Sequence, residues 1–515
     1  MNPISFHHLH PAFRSSIVKL LLCLCLPSVV HAQFVFVTNN NAITITSFNG
    51  TSPNVVIPAT TNGFKVTKIA NLAFGQVDTM TNVIIGTNLT TIGTNAFYQC
   101  HNLASATIPV SVTNIGDGPF YDCQKMTNIV AFTNAFYSAT NGYLMNRAHT
   151  ALIQVPGGMP GSFTIAAAVT SISLALIGNT LTNITVDPAN TIYFGTNGVL
   201  FSKNKSQLIE YPGGLGGSYS VPTNVTLIVS ASFEYAPAIA AVSIPTNVTS
   251  IGLFAFFDCT ALTNITVATA NQFYRSTNGV LLDRKKITLI QYPAGLAGDY
   301  VIPNTVSNVA IGAFGNAVHL TSVMIPDSVT NLDVQSFFGC QGLTGVLLGN
   351  NVKTIGVDAF FLCTSLSSII FPNSVTNIGF NAFGGCFALS SVCFQGKPPT
   401  DGGSIFAFDN ALTSILFVTG NPGWGATYDG ITTAPCTTCT PSAPTGPILS
   451  ITRTGTNVFL KWPSSFTGYN LEFTTNLAPL SPWKTNTPAA VIINSQFVAS
   501  NSISGTTKKY YRLIQ

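Results

Sequence analysis

The interval from Cys100 to Cys123 returns from Cys340 to Cys363 and again from Cys363 to Cys386. Thiols spaced so regularly would line up as a disulfide or metal ladder if the chain wound into coils. Adjacent coils lie ~4.8 Å apart, however, and parallel inward Cβ atoms at that separation exceed the ~3.8 Å of a disulfide. Alanine takes the same place at Ala236 and Ala317, so these thiols are expected to act as small buried hydrophobes. Cys436-x-x-Cys439 falls outside the series, in a Pro-rich stretch, and a disulfide between Cys436 and Cys439 is the expectation there. Zinc would need four ligands, and no second pair accompanies this one. A thioredoxin-like role would need a βαβ setting that is missing.

Acid–base and nucleophilic chemistry finds little to use. Beyond residue 32 the histidines are His101, His149 and His319, and none stands in an H-E-x-x-H pattern. The chain has no G-x-S-x-G elbow, P-loop, dinucleotide fingerprint or calcium loop. His101 and His319 precede a recurring Leu, where a solvated or capping role is expected, while Asp117 and Asp122 could meet as a carboxylate pair across coils. No catalysis, cofactor or metal is expected.

What must position these residues is a repeat. Phe74, Phe97 and Phe120 are evenly spaced, and the same interval separates Phe233 from Phe256 and links Phe314, Phe337, Phe360 and Phe383. A fixed period of this length, about 23 residues, signals a solenoid. Around each Phe the unit I-G-x-x-A-F-x-x-C-x-x-L recurs, as in Ile355-Gly356, Ala359-Phe360, Cys363 and Leu366. Apolar residues follow three and five positions after the Leu, as in Leu320, Val323 and Ile325, and a Pro such as Pro326 then ends the strand. The unit resembles the BspA-type leucine-rich repeat of bacterial surface proteins over roughly residues 40 to 430. Residues 42 to 63 resemble that family's N-terminal cap, and residues 420 to 430, with Trp424, its closing segment.

Three interruptions lengthen the period; from Phe256 to Phe314 the chain runs more than two coils without the expected Phe. Each interruption has an Asn-Gly pair followed by a Pro at one constant spacing: Gly142 to Pro156, Gly198 to Pro212 and Gly279 to Pro293. A β-hairpin extension is the reading for each. The fold class expected is therefore a mainly β repeat solenoid of about 23-residue leucine-rich repeats with hairpin insertions, plus a small C-terminal β-sandwich-like domain.

Cations at Arg14 and Lys19, an apolar run over residues 17 to 26 and the end Val30-His31-Ala32 read as a secretory signal over residues 1–32. Residues 33–435 form the solenoid with its caps, 436–447 a Pro-rich linker, and 448–515 a domain resembling fibronectin type III, with Trp462 as core anchor. Residues 33 to 445 hold 12 Lys/Arg against 15 Asp/Glu, and residues 446 to 515 six against one. Neither part carries the dense basic stripe that nucleic acid requires. No transmembrane segment is expected in the mature chain.

Every coil also presents the residues between its inward ones on a concave face. Early coils offer polar or small groups there, such as Asn82, Ser105, Thr107 and Asn128. From Met324 the column turns apolar through Leu347, Ile370, Cys393 and Leu416, each one period after the last. Exposed apolar patches mark interaction sites. The expected function is protein or glycan binding by a secreted or cell-surface protein. The alternative is a structural envelope component.

Overall fold

A single repeat unit cannot bury its own apolar residues, so each coil is stable only when stacked between two others. The computed structural model describes residues 33–439, apart from 132, 173–175 and 177–179, and short strands between 450 and 514. The secretory signal expected over residues 1–32 lies outside the described residues. The described residues of the solenoid are strands, turns and short connections, and none of them lies in an α-helix.

One side of the solenoid is a strand face in parallel register. Asn54–Val56, Asn82–Ile84, Ser105–Thr107 and Asn128–Val130 pair coil to coil. Gly298–Val301, Leu320–Met324 and Gly345–Leu347 do the same, as do Ser368–Phe371, Ser391–Phe394, Ser414–Val418 and Ile431–Cys436. Because the period is constant, equivalent side chains form columns, and alternation along each strand sends every second column outward. Two-residue strands such as Asn331–Leu332, Thr354–Ile355 and Asn377–Ile378 form a second parallel sheet. The Gly that follows the Ile of such a two-residue strand, as in Ile355-Gly356, sits where that sheet touches the preceding coil; a Cβ on Gly356 would lie 2.6 Å from backbone atoms of Asp333 and Val334.

The third side is the turn carrying Phe and Cys. Its backbone twists left-handed two residues before and two after the Phe, as at Asp358 (φ 51°) and Leu362 (φ 59°). That geometry points its amides at the next coil, where Phe337 N–H donates to Ala359 O at 2.7 Å and Phe360 N–H to Ala382 O at 2.7 Å. Inside, the rings stack: Phe314 to Phe337 at 4.4 Å, Phe337 to Phe360 at 4.8 Å and Phe360 to Phe383 at 5.0 Å between centroids.

The three hairpins form where the interrupted period predicts. Tyr137–Thr140 pairs with Tyr143–Asn146, Tyr193–Thr196 with Val199–Ser202, and Tyr274–Thr277 with Val280–Asp283. Each closes on an Asn-Gly pair with positive φ at both residues, the two-residue turn suited to twisted strands. In two of these coils a tyrosine replaces the stacked Phe: Tyr211 packs 5.0 Å from Phe233 and Tyr292 4.8 Å from Phe314. The hairpins also divide the core. Buried residues fall into clusters that meet at Leu144 and Met145, Val199 and Leu200, and Val280 and Leu281.

Both ends are closed by aromatics. An antiparallel hairpin, Phe34–Asn39 with Ala42–Phe48, lays Phe48 5.3 Å from Phe74. At the other end Trp424 stacks on Phe417 at 5.1 Å and donates Nε1–H to Gly396 O at 3.0 Å. Beyond it lie two antiparallel sheets, one ordered Ser450–Thr454, Asn457–Pro463, Gln496–Ser502, Val491–Ile493 and the other Lys484–Thr485, Asn470–Thr474, Tyr510–Ile514. Leu460 and Leu471 are buried in them; the burial of Trp462 lies outside the described residues.

Candidate functional site

The outward apolar column is built by register. Val301 pairs with Met324 and Met324 with Leu347, while Ile370 pairs with Cys393 and Cys393 with Leu416. Val301, Met324 and Leu347 are 58%, 37% and 49% exposed. Ile370 and Leu416 are half-buried, and Cys393 is buried. Beside the column runs a polar one: Asp299 Oδ1 accepts hydrogen bonds from Ser322 Oγ at 2.8 Å and Thr321 Oγ1 at 2.7 Å, and Ser368, Ser391 and Ser414 continue it. In the middle coils the apolar column is replaced by hydroxyls, with Thr164 and Thr185 at 2.7 Å and Ser243 and Thr266 at 2.9 Å.

The column begins one coil earlier than the sequence pattern suggests. Val301 stands one full period before Met324, so the same step identifies it; it sits in a hairpin-bearing coil, where the repeat is interrupted. The early coils are also less polar than expected, since Val56 and Ile84, paired in register, are 50% and 55% exposed.

The disulfide differs from the one expected. Cys439 bonds to Cys393, with Cα atoms 5.7 Å apart, and Cys436 is the free thiol. Cys436 is not in a linker: it ends the strand Ile431–Cys436, opposite Val418, and so its position is set by the sheet rather than by a local turn toward Cys439. Pro435 is tolerated within that strand because the short strand Thr427–Tyr428 covers only Ile431 and Thr432 on its other side, and beyond them the strand has no outer partner among the described residues that would use an N–H of residue 435. The bond seals Cys393, so within the column it is a covalent anchor and not an accessible contact. The repeat cysteines Cys100, Cys123, Cys259, Cys340, Cys363 and Cys386 are free and fully buried. Each has its Sγ against the carbonyl of a stacked Phe just over one coil earlier, as Cys340 with Phe314 O at 3.1 Å.

The other concentration of chemistry lies on the turn side. His101 Nδ1 is 2.7 Å from Asp78 Oδ1, and its Nε2 is 3.4 Å from Asp122 Oδ2. Hydrogen bonding to Asp122 and the charge of both carboxylates push its pKa up to about 9. An imidazole held protonated with both nitrogens engaged cannot accept a proton near neutral pH. In place of the solvated or capping role expected, His101 forms an ionic clasp, because Asp78 and Asp122 come from the coils on either side of its own. His319 is exposed, as expected.

Gln99 Nε2–H extends the clasp, donating to Asp122 Oδ2 at 3.3 Å and to Tyr235 Oη, far along the chain, at 2.8 Å. Tyr121 and Tyr235 meet there at 6.0 Å. Burial raises Glu234 to about 8, and burial with the charge of Asp122 raises Asp258 to about 7. No spacing rule foretells this contact, because a repeat pattern describes only neighbouring coils. Burial thus holds the Glu234 and Asp258 carboxyls above the ordinary carboxylate range, and Asp122 is committed to His101 and Gln99.

The repeats match the family model for the BspA type leucine rich repeat region in six copies, over residues 34–155, 217–298 and 297–413, together more than half of the chain. No curated protein matches at a significant level. Among solved structures, a leucine rich cell surface protein from Faecalibacterium prausnitzii A2-165 is 25% identical, covering 76% of this chain and 94% of its own, with a TM-score of 0.38. The pneumococcal vaccine antigen PcpA is 17% identical over 75% and 85%, with a TM-score of 0.35. A leucine-rich repeat protein from Bacteroides ovatus ATCC 8483 is 17% identical over 78% and 98%, with a TM-score of 0.26.

Proposed function

Because this chain belongs to the BspA type leucine rich repeat family, we propose that it is a secreted or cell-surface bacterial protein that binds an extracellular protein or glycan, without catalysis. The observation that carries the reading is the column Val301, Met324, Leu347 and Ile370, which continues toward Leu416. Three successive coils leave their outward apolar side chains 37% to 58% exposed in one line, where the middle coils place Thr and Ser. Solenoids use extended faces of this kind for recognition, and the adjoining row of Ser hydroxyls gives a ligand hydrogen-bonding partners. The order of the C-terminal strands, A, B, E and D in one sheet with C beside F in the other, supports the β-sandwich architecture that fibronectin type III shares with immunoglobulin domains.

Glutamate at both Val301 and Leu347 would put two charges into the contact. Against a panel of purified extracellular proteins and glycans, the double variant is expected to bind its ligand at least tenfold more weakly, about 1.4 kcal/mol or more. Its unfolding midpoint should stay at the wild-type value, since both side chains already face solvent. Unchanged affinity in a folded double variant would remove the column from the binding surface.

A further inference from the structure

Three sulfurs meet at the closed end of the apolar column. Cys393 and Cys439 are bonded, and the free Sγ of Cys436 lies 3.6 Å from Sγ of Cys393. All three Sγ atoms fall within 4.8 Å of one another. Unlike the six repeat thiols, which are fully buried, Cys436 is partly exposed. Its strand is paired to Ser414–Val418 and holds it in place, whereas Cys439 lies three residues beyond the strand end.

We propose that Cys393, Cys436 and Cys439 form a thiol–disulfide exchange site. The Cys436 thiolate attacks Sγ of Cys393; the Cys393–Cys436 bond forms as the Cys393–Cys439 bond breaks, and Cys439 leaves as a thiolate that takes up the proton Cys436 gave away. One disulfide and one thiol are present before and after, so the step needs no oxidant or reductant. Attack by a thiolate on a neighbouring disulfide needs contact, access and an approach in line with the breaking bond; Cys436 has contact and access, and Cys439, which no strand holds, has to swing for the bond to come into line. The two isomers differ in what they tie down. Bonded to Cys439, Cys393 clamps the chain beyond the last strand; bonded to Cys436, it staples two coils of the strand face and presents a free thiol at Cys439. That thiol would be open to disulfide-bearing partners outside the solenoid.

The test is alkylation of the unreduced full-length protein with iodoacetamide at pH 8, an acid quench, and tandem mass spectrometry to place the label. Exchange predicts label shared between Cys436 and Cys439, with at least about a tenth of it on Cys439 and none on Cys393. A Cys439→Ser chain matured in oxidised glutathione should hold a Cys393–Cys436 bond. The proposal is overturned if label is confined to Cys436, or if the Cys439→Ser chain leaves Cys393 and Cys436 both open to alkylation.

Discussion

Phe360→Ala should destabilise the solenoid by about 3–5 kcal/mol, the cost of removing a fully buried ring whose site cannot collapse. Phe360 has no exposed surface and is held between Phe337 at 4.8 Å and Phe383 at 5.0 Å, nearly parallel to both. Its loss opens a gap facing two coils at once, and in a solenoid those two interfaces are where the energy of a coil resides. The damage should also be local. The core of residues 280 to 428 is separated by the hairpin coils from that of residues 43 to 144, so the variant should melt its C-terminal block first. Denaturant unfolding followed by hydrogen exchange reads both effects. The exposed Phe387, 57% accessible, supplies the contrast: its alanine variant should stay within about 0.5 kcal/mol of wild type. A Phe360→Ala loss below about 1 kcal/mol, or melting that begins in residues 43 to 144, would contradict this account of the core.

Stability should fall as pH rises from about 4 to 9, the reverse of ordinary acid denaturation. Burial raises Asp358 to about 6 and Asp409 to about 7, and Glu234 reaches about 8. Asp358 is 1% exposed with Oδ2 unpartnered, and Asp409 is 6% exposed. Over the interval between each unfolded value, near 4, and the folded one, the native state binds more protons, so raising the pH favours unfolding. His101 adds to the same trend, since a raised folded pKa stabilises fully below about 6.5 and the benefit is lost through about 9. Asp358→Asn isolates one contribution. The amide oxygen can keep the hydrogen bond from Asn381 Nδ2, 2.9 Å in the native protein, while the buried charge disappears. The variant should gain about 1–3 kcal/mol at pH 8 and almost nothing at about pH 3, below both the folded and the unfolded value. Destabilisation that is larger at pH 8 than at low pH would show that the carboxylate is needed in its charged form.

The solenoid is legible in the sequence because a constant period turns a one-dimensional pattern into columns. Phe337, Phe360 and Phe383 have to stack once they recur at the coil interval, and Met324 has to lie beside Leu347. The hairpins are legible for a related reason: Asn141-Gly142, Asn197-Gly198 and Asn278-Gly279 supply the positive φ that a two-residue turn demands. Val301 is within reach of the same step. What the pattern cannot carry is contact between coils that are not neighbours. Gln99 meets Tyr235 over intervening hairpin coils, and Cys439 folds back to Cys393 over the last strand. Both depend on where the chain leaves its period, and local spacing such as C-x-x-C contains no information about that.

The most direct test of binding through the strand face is hydrogen exchange of the full-length protein with and without a saturating ligand taken from the panel above. Protection should appear on Gly298–Val301, Leu320–Met324, Gly345–Leu347 and Ser368–Phe371 and be missing from the turns around residues 95–101 and 254–258. A bound ligand that protects those turns and leaves the four strands exchanging at their free rates would contradict the account.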